Sequence, residues 1–292
     1  MTNDQSPFLV LGATGQQGGA TARALLANGH PVAALTRDPD SPASQALAAA
    51  GATVVRGDLD DRTALREAMT GIRGVFSVQT LGPDGADGEA RQGIAVAEVA
   101  AGTGVPHVVY SSVDGAERGS GVPHFDSKWR IEQRLSELGV PTTVLRPVYF
   151  MENLGFSTSL EESGSAVFRQ ALRADIPLQM VATADIGAAA AAALADPVGH
   201  IGRAIGLAGD ELTGSRIAET IAKVTGVPTE YREQPMAEVR AFSEDMAAMF
   251  EWFGTGGYQV DIAAMRRERP GLRTLADWLR ESGWKPSAGP ES

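Results

Sequence analysis

The residues FLVLGATGQQG, numbered 8–18, join a short apolar run to the start of a helix through three glycines. The run FLVL at 8–11 predicts a buried strand, and the glycines after it predict a tight turn into a helix. Such a turn directs backbone N–H groups and the positive end of the helix at one point, which suits a pyrophosphate. The spacing is G-x-x-G-x-x-G instead of G-x-G-x-x-G, so a purely structural turn is the alternative. The candidate phosphate-binding residues are Gly12, Thr14, Gly15, Gln16, Gln17 and Gly18.

The first half of the chain alternates short apolar runs with helical stretches, a pattern typical of a parallel sheet flanked by helices. Further strands are predicted at VAALT (32–36), TVVRG (53–57), GVFSV (74–78), HVVYS (107–111) and TTVLR (142–146). Helices are predicted at 17–28, from Pro42, and at 61–71, 88–102 and 124–138. The expected fold is α/β, a Rossmann-type doubly wound parallel sheet. Dinucleotides bind at the first turn of such a sheet, so the position of the glycine turn favours a dinucleotide site.

The alternation loosens after Pro147, where MENLGFSTSLEESGSAVFRQA (151–171) is interpreted as loop and short helix. The chain is then expected to return to the sheet through LQMVA (178–182), a helix at 184–195 and AIGLA (204–208). We therefore predict a dinucleotide-binding domain from 1–150 with return segments at about 176–208. Residues 151–175 and 209–292 are predicted to form a smaller, interleaved C-terminal α/β lobe. Its expected helices lie at 212–225, 236–253, 260–267 and 274–282.

The composition excludes several functional classes. The 292 residues carry a net charge of −11, which disfavours direct binding to nucleic acid. The absence of cysteine removes disulfides, thiolate nucleophiles and thiolate metal sites, and the four histidines lack ligand spacing, so no metal site is predicted. The N-terminal MTNDQSPF resembles no secretory signal, and the small-apolar run 186–195 is too short for a membrane span. A cytoplasmic protein without membrane contact is expected.

Two strand ends predict contacts to the adenosine half of a dinucleotide. Arg37 follows the second strand, nineteen residues after Gly18, where an acid suits the ribose of NAD and an arginine suits the 2′-phosphate of NADP. Arg37 therefore predicts NADP(H) in preference to NAD(H), unless it is a solvent-facing arginine or Asp38 turns inward. Asp58 and Leu59 follow the third strand and are candidates to bracket an adenine, although Asp58 is also placed to cap the next helix.

The chain resembles the NmrA-like proteins among the atypical short-chain dehydrogenase/reductases. The resemblance spans most of the chain and rests on six motifs: GATGQQGGATARALL (12–26), TRDP (36–39), GDLDD (57–61), HFDSKWRIEQRL (124–135), GVPTTVLRPVYFMENL (139–154) and LADWL (275–279). It implies an NADP(H)-binding Rossmann domain with a smaller C-terminal lobe. Members of this group are redox-sensing regulators or reductases.

Classical members of that superfamily use Tyr-x-x-x-Lys, in which both side chains share one helix face and the lysine lowers the pKa of the phenol. The three lysines of this chain are preceded four positions earlier by His124, Glu219 and Glu281, so the pair is absent. The matching segment is His124-Phe-Asp-Ser-Lys128. The resemblance implies that Lys128 holds the nicotinamide ribose, with a surface pair to Glu132 as the alternative. His124 is a candidate proton donor, a polar lining residue or a solvated residue of the first helical turn.

Residues near two other strand ends complete the candidate site. Ser111 and Ser112 end the fifth strand, where the superfamily often places a substrate-binding serine. Tyr149 follows the sixth strand and is a candidate proton donor or pocket wall; Asn153 and Phe150 are expected to line the same pocket. The candidate catalytic residues are thus His124, Lys128 and Tyr149, and Ser111, Lys128, Tyr149 and Asn153 are also expected to contact the cofactor.

Two functions follow from these motifs. The first is a cofactor sensor that binds NADP(H), turns over little, and changes a surface for a protein partner, since the cofactor site is intact and the catalytic tyrosine is missing. The alternative is an NADPH-dependent reductase of a quinone, an enone or a similar small apolar substrate, because hydride transfer needs positioning and a quinone can take protons from solvent. An open apolar cavity bounded by Tyr149, Phe150 and Met151 would favour the reductase.

Overall fold

The computed structural model describes residues 6–287, and the N-terminal residues 1–5 considered for a targeting signal lie outside that range. The strands are β1 (Phe8–Val10), β2 (Val32–Thr36), β3 (Thr53–Arg56), β4 (Gly74–Ser77), β5 (Val108–Ser111), β6 (Thr142–Pro147), β7 (Tyr149–Phe150), β8 (Thr158–Leu160), β9 (Ala166–Gln170), β10 (Pro177–Val181), β11 (Ala204–Leu207), β12 (Asp210–Thr213) and β13 (Thr229–Glu233). The helices are α1 (Gln16–Ala27), α2 (Pro42–Ala49), α3 (Arg62–Ala68), α4 (Gly85–Thr103), α5 (Pro123–Glu137), α6 (Leu154–Ser157), α7 (Thr183–Ala195), α8 (Pro197–His200), α9 (Gly214–Thr225), α10 (Met236–Phe242), α11 (Glu244–Gly254), α12 (Ile262–Glu268) and α13 (Leu275–Ser282). Short 3-10 turns cover Ala116–Arg118 and Met151–Asn153.

The chain divides into two compact units. Unit 1 comprises 1–119, 124–146 and 183–205, and unit 2 comprises 120–123, 147–182 and 206–292. The two units are interleaved along the chain, because the segments of one alternate with those of the other.

Unit 1 is built on a seven-stranded parallel sheet in the order β11-β6-β5-β4-β1-β2-β3. Strands β1, β2, β4 and β5 are buried at every residue and are mostly apolar, as expected of parallel strands covered on both faces. The order on either side of β1 is that of a doubly wound dinucleotide-binding sheet. The predicted fold class is confirmed.

Two helices of unit 1 pack closely because their contact is made of small residues. A Cβ on Gly187 of α7 would lie 2.5 Å from the carbonyl carbon of Ala20 in α1, so no larger residue fits without movement. The alanine-rich stretch that the sequence predicts as a packed helix is thus the partner of α1. Within residues 6–287, no helix is both long and apolar enough to cross a bilayer.

Unit 2 contains two three-stranded sheets, β12-β10-β7 and β13-β9-β8. Their helices enclose a separate apolar core that includes Phe168, Leu178, Ile221 and Trp278. Helix α13 begins with the predicted cap: the Thr274 hydroxyl accepts from the backbone of Asp277, whose carboxylate accepts in return from the Thr274 backbone.

Two sequence predictions in this region are wrong. Segment 178–182 does not return to the seven-stranded sheet; β10 pairs antiparallel with β12 and parallel with β7. The edge of β6 is instead occupied by β11, where the Val144 N–H donates to the Arg203 carbonyl. The stretch after Pro147 also contains the strand β9, which pairs with β13 some sixty residues later in the chain. Apolar content predicts a strand but not its partner, and the partners here are distant in sequence.

Candidate functional site

The glycine turn after β1 is tight enough that glycine is required at two positions. Gly12 has φ +62°, a backbone region that other residues rarely adopt. A Cβ on Gly18 would lie 2.2 Å from the Gly12 carbonyl oxygen, and the Gly15 N–H donates to that same oxygen at 2.9 Å. Helix α1 begins at Gln16, and its N-cap residue Gly15 provides no side-chain cap; the first turn contains no acid. The exposed start of α1 therefore fits a phosphate group.

The other candidate residues of this turn divide into exposed and engaged side chains. Thr14 and Gln16 are exposed, as residues that contact a ligand in the turn must be. Gln17 is engaged: the hydroxyl of Ser111, fully buried at the end of β5, donates to its amide oxygen at 2.5 Å. This bond joins the end of β5 to the first turn of α1, two places that the sequence singled out separately.

Arg37 is exposed at the end of β2, and within residues 6–287 no acidic side chain pairs with its guanidinium. Its backbone carbonyl accepts from Arg56 Nη1 at 3.1 Å, which orders the strand end. The Asp38 carboxylate accepts from the Asp40 N–H at 3.1 Å and so belongs to its own turn. Arg37 therefore has its charge available for an anion.

Asp58 does not cap α3, because Asp61 does so by accepting from Thr63 and Ala64. The Asp58 carboxylate accepts instead from the Asp60 N–H at 2.9 Å. Leu59 is half-buried and packs against the core of unit 1. Asp58 therefore remains a candidate for ligand contact at this strand end. Only the exposed part of the Leu59 side chain can contact a ligand.

Lys128 forms a buried ion pair. Its ammonium lies 2.6 Å from Glu89 Oε1 in α4, with side-chain exposures of 12% for the lysine and 1% for the glutamate. The Ser127 hydroxyl donates to the other Glu89 oxygen. The same ammonium lies 3.5 Å from the Gln79 carbonyl at the end of β4. The alternative of a surface pair with Glu132 is wrong, since Glu132 is engaged elsewhere.

Glu132 forms the second buried charge cluster of unit 1. Its carboxylate accepts from Arg146 Nη2 at 2.6 Å and from the Ser112 hydroxyl. Arg146 also lies 3.0 Å from Glu117. The Ser112 hydroxyl is therefore committed to a structural network and is not presented for chemistry.

His124 lies in the first turn of α5, one helical turn before Lys128 and on the same helix face. Its ring is half-buried and packs edge-on against Phe125, with ring centroids 4.7 Å apart. Its carbonyl oxygen lies 3.0 Å from the Ser127 hydroxyl. Because the His124 ring is half-buried, it is not a fully solvated residue of the first helical turn.

Tyr149 and Asn153 belong to unit 2, where both line a cavity of about 580 Å³, called here the unit 2 cavity. Burial raises the pKa of the Tyr149 hydroxyl, while the nearby polar side chains of Gln170, Ser157 and Asn153 oppose the shift. The apolar part of the wall consists of Phe156, Val239, Phe242, Met246, Met249 and Phe250. A mostly apolar cavity with a few inward polar groups is typical of a small-molecule site. Phe150, which was expected beside Tyr149, is absent from this lining.

Three residues that contact or lie beside the candidate site residues were not predicted from the sequence: Glu89, Gln79 and Gln170. Glu89 is one acid among many on a helix, and only folding brings it to Lys128, thirty-nine positions away. Gln79 follows directly after a predicted strand end, so its position was a usable signal. Gln170 lies in the strand that the sequence did not predict.

A family model described as NmrA-like family matches residues 4–279. The chain therefore belongs to the NmrA-like family. Among relatives of this NmrA-like protein is the (4-alkanoyl-5-oxo-2,5-dihydrofuran-3-yl)methyl phosphate reductase of Streptomyces griseus subsp. griseus. It is 35% identical over 229 residues, which cover 77% of this chain and 76% of the relative.

Solved structures similar to this NmrA-like protein include both enzymes and a regulator. The NADPH-dependent quinone oxidoreductase of Escherichia coli, complexed with NADPH, is 26% identical with a TM-score of 0.80, covering 95% of this chain and all of that one. The negative transcriptional regulator NmrA, in complex with NADP, is 22% identical with a TM-score of 0.80, covering 95% of each chain. The latter similarity shows the shared fold.

Proposed function

We propose that this NmrA-like protein binds NADP(H) in preference to NAD(H) and uses it to reduce a small, uncharged, largely apolar acceptor such as a quinone or an enone. The observation that carries the proposal is the unit 2 cavity, whose wall is mostly apolar and includes Tyr149. A protein that only senses the cofactor has no need of a cavity of this size. The names of the reductase relatives support the same class of reaction.

The residues of unit 1 suit the proposed cofactor. The glycine turn would hold the pyrophosphate, and Arg37 would pair with the 2′-phosphate that distinguishes NADP from NAD. The Lys128 ammonium has three N–H donors and uses one for Glu89 and one, at 3.5 Å, for the Gln79 carbonyl, so one donor remains for the ribose hydroxyls. A hydrogen bond to a charged group contributes about 1.5–3 kcal/mol, so Arg37 would give about a tenfold to hundredfold preference for NADPH over NADH.

The bound reduced nicotinamide would supply the hydride, and the chain's residues would position the acceptor and its protons. Because burial raises the pKa of Tyr149, its hydroxyl stays protonated at neutral pH and donates a hydrogen bond to an acceptor oxygen. A quinone can take its protons from solvent, so the missing Tyr-x-x-x-Lys pair does not prevent turnover. Ser112 has no part in this proposal, because Glu132 accepts its hydrogen bond.

A cofactor sensor is the second candidate. This function is supported by the contacts of Ser112 and Lys128, which both bind buried carboxylates. These two residues stand at the family's usual catalytic positions, and here they contribute to the packing of the protein. A sensor must bind the two cofactor states with different affinities in its partner-competent form.

One experiment separates the two functions. NADPH oxidation by the purified protein is followed against quinones, enones and aldehydes, with cofactor fluorescence recorded in the same cuvette. Saturable NADPH consumption that is lost in Tyr149→Phe or Lys128→Ala supports the reductase. Tight NADPH binding with no consumption for any acceptor refutes the reductase and favours the sensor.

A further inference from the structure

Among residues 6–287, Lys128 forms one ion pair, and its partner is the buried carboxylate of Glu89. The side chain of Glu89 is 1% exposed and that of Lys128 is 12% exposed, so water screens the pair weakly. The Ser127 hydroxyl donates to the other Glu89 oxygen, which holds the carboxylate in place. The next acid on the same helix, Glu132, is itself paired with Arg146 at 2.6 Å. Glu89 is therefore the charge that neutralises Lys128.

The ion pair of Lys128 and Glu89 lies at the edge of the sheet where the glycine turn is found. The Lys128 ammonium is 3.5 Å from the carbonyl oxygen of Gln79, which follows two residues after the end of β4. Strand β4 pairs in parallel with β1, and the glycine turn follows the carboxyl end of β1. Dinucleotides bind at the carboxyl ends of the strands in such a sheet. The ion pair is thus at the edge where the proposed function requires the cofactor.

The charge of this ion pair matters because the two redox forms of a nicotinamide cofactor differ in charge. The oxidised nicotinamide ring is positively charged, and the reduced ring is neutral. An uncompensated ammonium beside the site would repel the oxidised ring and have little effect on the reduced ring. The Glu89 carboxylate opposes that repulsion, since it carries the opposite charge 2.6 Å from the ammonium. Glu89 therefore acts on the difference between two affinities, which a role confined to packing would leave unchanged.

We propose that Glu89 is a specificity-determining residue for the redox state of the cofactor: by neutralising Lys128, it prevents the site from favouring NADPH over NADP⁺. The inference rests on the proposed function, because it requires NADP(H) at this edge of the sheet. A site that disfavours the oxidised form lowers the driving force for hydride transfer from the bound reduced form. In a reductase, Glu89 thus keeps bound NADPH a strong hydride donor.

The test measures the dissociation constants of NADP⁺ and NADPH by isothermal titration calorimetry with the full chain. The readout is the ratio of the NADP⁺ constant to the NADPH constant. Glu89→Gln keeps the length of the side chain and its hydrogen-bonding capacity but removes its charge. We expect the ratio to rise about fivefold or more in this variant, because charges in a largely buried pair are weakly screened. The rise should come mainly from weaker binding of NADP⁺.

Two further variants separate the charge of Glu89 from its packing. Asp87→Asn removes the same charge from the same helix, but the Asp87 side chain is 90% exposed in its pair with Arg130. Its ratio should stay within about twofold of the wild type, because solvent screens an exposed charge. The double variant Glu89→Gln/Lys128→Met removes both charges of the buried pair. It should bind both cofactor forms more weakly, but its ratio should return to that of the wild type.

An unchanged ratio in Glu89→Gln, an equal rise in Asp87→Asn, or a double variant with the ratio of Glu89→Gln would each overturn the proposal. Thermal unfolding checks that each titrated protein is folded. The double variant leaves no buried charge unpaired, so it still decides the question if Glu89→Gln does not fold: a ratio different from that of the wild type overturns the proposal.

The failure of this inference is distinguishable from the failure of the proposed function. A wild type that binds neither NADP⁺ nor NADPH refutes the proposed function and this inference with it. A wild type that binds both, with a ratio that does not respond to Glu89→Gln, refutes this inference alone. A raised ratio in Glu89→Gln without NADPH consumption by the wild type refutes the reductase and supports the role of Glu89.

Discussion

His107, immediately before β5, gives the sharpest prediction about stability. Its Nε2 lies 2.8 Å from the Thr143 hydroxyl, and its buried Nδ1 has no hydrogen-bond partner within residues 6–287. Protonation would place a second N–H donor in this apolar site. Burial, with a smaller contribution from nearby His200, lowers the pKa of His107 from 6.5 to about 4. The ring is therefore neutral in the native protein at neutral pH.

The sign and size of the effect follow from that pKa. Between pH 6.5 and about 4 the unfolded chain binds a proton at this residue and the native protein does not. The free energy of unfolding therefore falls as the pH falls through this range, by about 1.4 kcal/mol per pH unit and about 3 kcal/mol in total. The contribution of neutral His107 to the free energy of unfolding is fully present above pH 6.5 and is lost as the pH falls to about 4.

The assay is urea unfolding at several pH values for the wild type and His107→Gln, whose side-chain amide can still bond Thr143 but does not titrate. The difference in free energy of unfolding between the two proteins should shift by about 3 kcal/mol in favour of the variant on going from about pH 7 to about pH 4. Val109→Ala, at a fully buried residue of the same strand, should lower stability equally at each pH. Parallel stability curves for the wild type and His107→Gln would refute the reasoning.

Three further predictions concern the cofactor site and its support. Gly18→Ala should abolish NADPH binding in a fluorescence titration, because its Cβ would lie 2.2 Å from a carbonyl oxygen of the same turn, whereas Gly102→Ala, with open space around it, should bind normally. Arg37→Ala should weaken NADPH binding about tenfold to hundredfold and leave NADH nearly unchanged; equal losses for both would contradict the 2′-phosphate contact. Glu89→Leu should lower the free energy of unfolding in urea by about 3–5 kcal/mol, since it leaves a largely buried ammonium unpaired. Asp87→Asn removes an exposed ion pair from the same helix and should cost less than about 1 kcal/mol; a similar loss in both variants would show that burial is not the cause.

The local features of this protein were readable from its sequence. The apolar runs predicted the strands of the seven-stranded sheet to within about one residue. For β1, β2, β4 and β5 the reason is that strands buried on both faces are rich in apolar residues. The cap at Thr274 and the glycine turn at 12–18 were readable for a related reason: each depends on residues a few positions apart. The absence of Tyr-x-x-x-Lys is likewise a fact of spacing.

The long-range contacts were decided only by the tertiary structure. The sequence did not show that Lys128 forms an ion pair with Glu89 or that the Ser112 hydroxyl donates to Glu132. It also did not show that β10 lies outside the seven-stranded sheet. It placed Tyr149 and Asn153 at a pocket but did not identify the residues of β8, β9, α10 and α11 that complete the cavity wall. Periodicity and capping depend on residues that are close together in the sequence, whereas these contacts join segments many residues apart. The same local pattern is compatible with many different partners, so it does not identify the partner. The sequence thus determined the elements and the glycine turn, and folding decided which charges are neutralised and which segments pair.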